Sequence, residues 1–427
     1  MTAAPGTIPF RRRLTLFRRQ ALVMLAVIGP GIITANVDND AGGITTYSVA
    51  GATYGYSMLF MLIFVTIALI IVQEMSARLG VVTGKGLSAL IRERMGVRLT
   101  TIILAVLVFA NLANTVSEFA GVAASMQIFG VSKYISVPLA ALGVWLLVVK
   151  GNYRSVEKVF LVASLLYLSY VVSGIMAKPP WDEVLQAATT PSFSLNPGYI
   201  TMMITIIGTT IAPWMQFYQQ SSIADKGLKP EQLNYERVDV IAGCLFTDIV
   251  AAFIIIACAA TLYAHNLQIT DAADAAVALV PLAGRYAGTL FALGLLNASI
   301  FSASILPLST AYAVCEAFGW ESAVNRRFRE APVFFSIYTA LIVVGAGIIL
   351  LPIKSLVQAM LSSQTLNGVL LPVTLIVVLK LINDKRLMGR YANSLVLNIL
   401  SWLIVGIVIA LTLMLIALTL FPGLMGT

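Results

Sequence analysis

Charge is what this chain has least of. Asp, Glu, Lys and Arg make up 11% of its 427 residues, against 59% hydrophobic residues and a mean hydropathy of +0.92. A soluble domain of that length carries far more charge, so a soluble fold is excluded. Cysteine is scarce too: Cys244, Cys258 and Cys315 stand singly inside hydrophobic runs. Their spacing suits neither a zinc site nor a disulfide framework, and they read as packing residues. The one histidine, His265, falls in a segment read as a solvated loop. Long polar stretches are missing as well. The segment 177–198 is Pro-rich and holds Asp182 and Glu183, while 81–99, 223–237 and 316–331 are short and mixed in charge.

What the chain has instead is a series of apolar runs, each long enough to cross a hydrocarbon core of roughly 30 Å. Eleven are counted: about 21–54 (interrupted), 56–80, 100–128, 134–149, 156–176, 199–222 (interrupted), 238–263, 283–315, 332–350, 354–380 and 394–421. The net charge of +8 does not point to nucleic acid, because of where it lies. With the N-terminus inside, 23 of the 27 Lys and Arg residues fall on cytoplasmic segments, Lys133, Lys178, Arg285 and Lys354 being the exceptions. The positive-inside rule then places the N-terminus in the cytoplasm and the C-terminus outside, in a plasma membrane. Basic segments meet anionic lipid headgroups. Residues 1–20 form a basic tail ahead of a transmembrane domain over 21–427. A signal peptide is the other reading of the N-terminus, but the apolar run continues through a polar break, which a cleaved segment does not need.

That break, Asp38-Asn39-Asp40-Ala41-Gly42-Gly43, lies inside the first span. Charge at membrane depth is costly and marks substrate or ion paths. Glycines and short polar residues also disfavour a continuous helix, so the interruption is expected to run through Gly43. A second break is expected at Pro213 in the sixth span, within Gly208-Thr209-Thr210-Ile211-Ala212-Pro213-Trp214-Met215. Five spans separate the two, so they cross in opposite directions. This is the pattern of an inverted repeat, with spans 1–5 (21–176) and 6–10 (199–380) as the halves and 394–421 as an additional helix. Substrate sites in such folds form where the two discontinuous helices meet, and unwound carbonyls there can coordinate a cation.

Five acids fall inside spans: Asp38, Asp40, Glu74, Glu118 and Asp248. Asp40 is the best ligand candidate. Asp38 faces elsewhere on a residual helix and lines the access route, binds a hydrating water or is structural. Glu74 reads as an i,i+4 ion-pair partner of Arg78. Glu118 continues a polar stripe from Asn111 and Asn114, and lines an aqueous path or accepts a proton. Asp248 pairs with a polar neighbour or lines the same path. In the tenth span Gln364 and Asn367 share a face, and their amide oxygens suit a hard cation or its water shell. Helix–helix hydrogen bonding is the alternative for both.

These residues resemble the Nramp family of divalent-metal transporters. The match begins at Gly29-Pro30-Gly31 and runs through Asp40-Ala41-Gly42-Gly43 and Tyr54-Gly55-Tyr56 to Ala77-Arg78-Leu79-Gly80 and Thr83-Gly84. It covers nearly the whole chain. The resemblance implies an all-α polytopic membrane protein of eleven transmembrane helices, with a LeuT-like inverted repeat whose helices 1 and 6 are discontinuous. The family's Asp-Pro-Gly-Asn reads Asp-Ala-Gly-Gly here, and its Met-Pro-His reads Ala212-Pro213-Trp214. By the resemblance, Asp40 keeps the ligand aspartate, Gly43 replaces an asparagine, Ala212 replaces a methionine and Thr209 stands at the carbonyl-donating position. Losing thioether and amide shifts the preference toward an ion held by oxygen and water. The two missing side chains are expected to enlarge the cavity for a hydrated ion. The pattern looks like the family's prokaryotic Nramp-related magnesium transporters. The family's proton route is incomplete: Trp214 replaces a histidine and Thr115 an aspartate, leaving Glu118.

The function expected is Mg²⁺ and Mn²⁺ uptake by alternating access, not proton-coupled and poor for Ca²⁺. The ions are substrates, with no cofactor and no obligate protein partner. A proton-coupled Mn²⁺/Fe²⁺ importer, a LeuT-like amino-acid carrier and a metal-gated channel are the alternatives. An intramembrane aspartyl protease is set aside, because its Gly-x-Gly-Asp motif is absent and Asp38 and Asp40 are too close for an obvious dyad.

Overall fold

The computed structural model describes residues 30–150, 162, 164–322, 324 and 326–420. The basic tail, the start of the first span and most of the first half of the fifth lie outside the described residues. All regular structure among the described residues is helical. The helices used here are α1 (Pro30–Asp38), α2 (Ala41–Tyr54), α3 (Leu59–Thr83), α4 (Leu87–Ile128), α5 (Lys133–Val149), α6 (Leu168–Met176), α7 (Trp181–Thr189), α8 (Pro197–Thr210), α9 (Pro213–Lys226), α10 (Leu233–Thr261), α11 (Ala287–Phe318), α12 (Pro332–Leu350), α13 (Leu356–Ile382) and α14 (Leu395–Leu420).

Among the described residues, eight helical stretches are long and apolar enough to cross a membrane, and two more, Lys133–Val149 and Leu165–Met176, are apolar but shorter. One of the eight, Ala41–Thr83, is 43 residues long. At 1.5 Å per residue that is about 65 Å, twice a hydrocarbon core, so it folds back on itself. The reversal falls at Tyr54–Met58, where Gly55 takes a φ of +60° that a side-chain-bearing residue rarely adopts. Similarly, α4 bends at Gly96 (φ 80°), which separates its first turns from the apolar run that follows.

Both expected breaks are present. The first spans only Asn39 and Asp40, between α1 and α2. The helix therefore resumes at Ala41, three residues earlier than the glycines suggest: Gly42 and Gly43 lie in the first turn of α2. Asp40 caps that turn, its Oδ1 accepting from the Gly43 amide at 2.6 Å, and a good N-cap outweighs the low helix propensity of glycine. The second break spans Ile211 and Ala212, between α8 and α9. Pro213 opens α9, where its missing N–H costs nothing. The Thr209 carbonyl four residues earlier thereby has no helical donor.

The two broken helices sit at the centre of the bundle, with α2, α8 and α13 in mutual contact and α4, α10 and α11 around them. Small residues allow this. A side chain on Gly208 of α8 would overlap the Gln364 carbonyl and the Gly368 backbone of α13, and one on Gly368 would overlap the Ile204 carbonyl. Such pairs of glycines let helix backbones touch, the favoured packing device in membranes. They fix Gln364 beside the second break.

Candidate cation site

The first break frees two backbone groups that a continuous helix would pair with each other, the Val37 carbonyl and the Ala41 amide. Each is taken by another helix. Ser302 of α11 donates to the Val37 carbonyl at 3.3 Å, and the Ala41 amide donates to Glu118 Oε2 of α4 at 3.2 Å. Glu118 therefore supports the broken helix directly and places its carboxyl beside that of Asp40, with which it interacts electrostatically. Its Oε1 has no hydrogen-bond partner among the described residues.

Asp40 is 4% exposed. Gln364 Nε2 lies 3.5 and 3.4 Å from its two oxygens. Gln364 Oε1 accepts from Asn367 Nδ2 at 2.9 Å, and Asn367 exchanges hydrogen bonds of 2.8 and 3.1 Å with Asn114 of α4. The result is an amide ladder, Asp40–Gln364–Asn367–Asn114. The sequence reading assigned amide oxygens of Gln364 and Asn367 to the ion. In this conformation Gln364 turns its nitrogen to Asp40, and Asn367 stands one step behind it as its support.

The two glycines seat this arrangement. A Cβ on Gly42 would run into the Gln364 amide, and one on Gly43 would come 2.6 Å from the Asp38 carbonyl and 3.2 Å from Thr209 Oγ1. Gly43 thus lets α2 close against the second broken helix. The space expected from its missing side chain is taken in this conformation by the Asp38 carbonyl, the Thr209 hydroxyl and the Asp40 carboxyl. Thr209 Oγ1 is buried without a hydrogen-bond partner, next to a carbonyl that has lost its helical donor. Ala212 is 2% exposed, in extended backbone at the break (φ −68°, ψ 142°).

The remaining candidates fall in three places. Trp214 is buried against Tyr218, and its carbonyl accepts from Ser309 at 3.2 Å. The polar stripe of α4 does not face one path: Asn111 bonds Thr310, Asn114 bonds Asn367 and Glu118 bonds Ala41. Asp38 and Asp248 lie together on another side of the break. Glu74 forms the expected pair with Arg78 at 3.0 Å and a second with Arg237 at 2.8 Å. Arg78 also donates to the Tyr391 carbonyl and to Asn393. The Glu74 cluster therefore ties α3 to α10 and to the segment after α13. His265 is exposed and the three cysteines are free and buried.

Two contacts at the site were not anticipated. Asn39 Nδ2 donates to Thr247 Oγ1 at 2.6 Å, and the Tyr47 hydroxyl bonds Thr210 Oγ1 at 2.7 Å. Both tie a broken helix to its neighbour. The position of Asn39 inside the break was the one available signal for the first of them.

The two ends of the bundle differ. Near the Ile128 end of α4 is a cavity of about 840 Å³, lined among others by Ala124, Gln127, Lys133, Asp271 and Val357. Ala124 is six residues along α4 from Glu118, about 9 Å of helix. The opposite end carries the Glu74 ion-pair cluster.

Two helices broken at the same depth, meeting at a buried carboxylate inside an apolar bundle, are the arrangement of a membrane transporter. The comparisons specify which. A sequence model of the family described as natural resistance-associated macrophage protein-like (Nramp) matches residues 31–418. The chain belongs to the Nramp family of metal transporters; it is a multi-pass membrane transporter, not an enzyme. Relatives include the divalent metal cation transporter MntH of Aeromonas hydrophila, 28% identical over 402 residues, covering 91% of this chain and 94% of that one. MntH of Bacillus subtilis is 26% identical, covering 92% of each. In structure the chain is similar to the Eremococcus coleocola manganese transporter bound to an aromatic bis-isothiourea substituted compound, with a TM-score of 0.74, 22% identity and coverage of 99% and 90%. It is also similar to MhsT in complex with L-phenylalanine, with a TM-score of 0.61, 15% identity and coverage of 90% and 97%. The fold is thus the LeuT-like one.

Proposed function

We propose that this chain takes up Mg²⁺, with Mn²⁺ as a second substrate, across the plasma membrane by alternating access and without proton coupling. The chain crosses eleven times, with the N-terminus in the cytoplasm and the C-terminus outside. Residues 21–176 and 199–380 are inverted repeats and 394–421 an additional helix. Asp40 is the ionic ligand. The Thr209 hydroxyl faces Gly43 from the other break, and the Thr209 carbonyl, left without a donor by Pro213, serves as a further ligand. Gln364 completes the shell, presenting Oε1 to the ion once the ladder through Asn367 and Asn114 reverses its donors and acceptors. Charge placement puts the 840 Å³ cavity outside and the Glu74 cluster inside, so this conformation is closed toward the cytoplasm.

The observation that carries the reading is the donor set around Asp40: carboxylate, hydroxyl, carbonyl and amide, with Ala212 and Gly43 in place of the family's thioether and amide. Such a set suits a hard ion that keeps water, which Mg²⁺ does and which disfavours Ca²⁺ in a cavity tuned to the smaller ion's shell. The names of the relatives, MntH and manganese transporter, support a second reading in which Mn²⁺ is the main cargo and Glu118 carries a proton. Flux into proteoliposomes decides. Asp40→Ala is expected to abolish Mg²⁺ uptake, and uptake unchanged in that variant sinks the assignment. Proton influx tracking metal influx at a fixed ratio replaces the uncoupled reading with the second one.

A further inference from the structure

Asp38 and Asp248 are two buried carboxyls that the Asp40 site does not use. Asp38 is 2% exposed and Asp248 4%. None of their four oxygens has a hydrogen-bond partner among the described residues. A tether one residue away on each side holds them together: Asn39 Nδ2 donates to Thr247 Oγ1 at 2.6 Å and to the Thr247 carbonyl at 3.3 Å. The Asp248 carboxyl acts electrostatically on that of Asp38, and no Lys, Arg or His is among the charges acting on either. Asp38 ends α1 and Asp40 caps α2, so the two leave the break in different directions. Asp40 turns to Gly43 and Gln364, and Asp38 to Asp248.

Two of the hydroxyls near this pair donate elsewhere. The Tyr47 hydroxyl lies within electrostatic reach of both carboxyls and bonds Thr210 Oγ1 at 2.7 Å. Thr210 donates to the Ile206 carbonyl at 2.8 Å, so Tyr47 is the donor in the first bond and turns only lone pairs elsewhere. Thr66, beside Asp248, donates to the Leu62 carbonyl at 2.8 Å. Asn39 spends its amide nitrogen on Thr247, and its Oδ1 is buried without a partner. The Cys244 thiol, one turn before Asp248, is the other titratable neighbour, and a thiol is only a weak donor. What stands beside the pair is a set of oxygen atoms with no positive charge among the groups acting on it, and Asp248 also lines an apolar cavity with Leu62, Ile63, Leu245 and Ile249. Burying two carboxylates in that state is strongly unfavourable.

We infer that Asp38 and Asp248, with Asn39 Oδ1, form a second site for a hard divalent cation, separate from the one at Asp40. One such ion cancels both charges, and an all-oxygen set is what Mg²⁺ and Mn²⁺ take. The site joins the first break to α10, so an ion there braces the broken helix in this conformation. It does not depend on Asp40 being the transport ligand.

Equilibrium dialysis of the purified full-length chain against Mg²⁺ tests it. The expected result is two ions per chain in the wild type, one in Asp248→Asn, one in Asp38→Asn and one in Asp40→Ala. Loading the unaltered chain with Mn²⁺ adds a readout that needs no variant: spin–spin broadening between two neighbouring ions in the paramagnetic resonance spectrum, lost in both Asn variants. A single ion in the wild type that Asp40→Ala removes and Asp248→Asn leaves in place overturns the second site and means that the two carboxyls share a proton. A single ion removed by Asp248→Asn and kept in Asp40→Ala upholds this site and overturns the one at Asp40.

Discussion

At the scale of single residues, the proposed selectivity rests on two side chains that are small where the family's are not. Gly43 is fixed by its surroundings, since any Cβ there meets the Asp38 carbonyl. Ala212 is different: it sits in extended backbone at the second break, buried, as the residue before Pro213. Ala212→Met puts a polarisable sulfur next to the ion. Thioether favours transition metals over Mg²⁺, so the variant is expected to shift competition toward Mn²⁺ by tenfold or more, about 1.4 kcal/mol. Competition flux with both ions measures this. Overpacking costs about 1–3 kcal/mol of stability, so a melting curve is read alongside. A preference that stays unchanged in a folded variant means that residue 212 does not face the ion. Of the residues that carry this argument, Asp40 was legible because charge stands out against an apolar background, whereas Gly43, Thr209 and Ala212 were legible only through the family resemblance. The direction in which Gln364 turns was not. It depends on Asn114, which is 250 residues away in the chain.

At the scale of elements, the breaks are unlike each other. The first is held open by its own residues and by neighbours: Asp40 caps α2, and Glu118 and Ser302 take the freed backbone groups. The second is opened by one proline. Pro213→Ala returns an N–H able to reach the Thr209 carbonyl, at a gain of about 1 kcal/mol for one net hydrogen bond. That bond would occupy a lone pair now turned to the substrate position. Mg²⁺ flux is expected to fall about tenfold while thermal stability holds or rises, in a paired measurement of uptake and melting temperature. Flux and stability falling together would show the proline to be a packing residue instead. The presence of both breaks followed from glycine, proline and charge at membrane depth. Their extent did not, because the N-cap that Asp40 makes to Gly43, itself a local contact, outweighs the low helix propensity of Gly42 and Gly43. Span counting met a similar limit. The turn at Gly55 joins two crossings into one apolar stretch of 43 residues, so length and hydropathy alone count fewer crossings than the pattern of basic loops does.

At the scale of the whole molecule, the question is what drives the cycle. A proton-coupled carrier needs a chain of titratable groups leading away from the ion. Here the helix bearing Glu118 has Thr115 one turn before it, and the Thr115 hydroxyl is committed to the Asn111 carbonyl at 2.7 Å. Trp214 stands on the other broken helix, buried against Tyr218, and the only histidine is exposed in a loop. Glu118 holds the Ala41 amide through Oε2 and leaves Oε1 without a hydrogen-bond partner among the described residues. The membrane potential is a sufficient source of work. A divalent cation moving inward gains roughly 4.6 kcal/mol per 100 mV, twice the value for a single charge. At 1.4 kcal/mol per decade this supports an accumulation of about 10³-fold. Proteoliposomes clamped at a set potential with a potassium ionophore are therefore expected to load Mg²⁺ when the interior is negative. Uptake should slow when the potential is collapsed, and a pH-sensitive dye inside should stay flat throughout. The gradient reached should rise by about a decade for each 30 mV, the slope of two charges per ion. A slope corresponding to more than two charges, with acidification of the lumen, would show that protons travel with the metal and that Glu118 carries them.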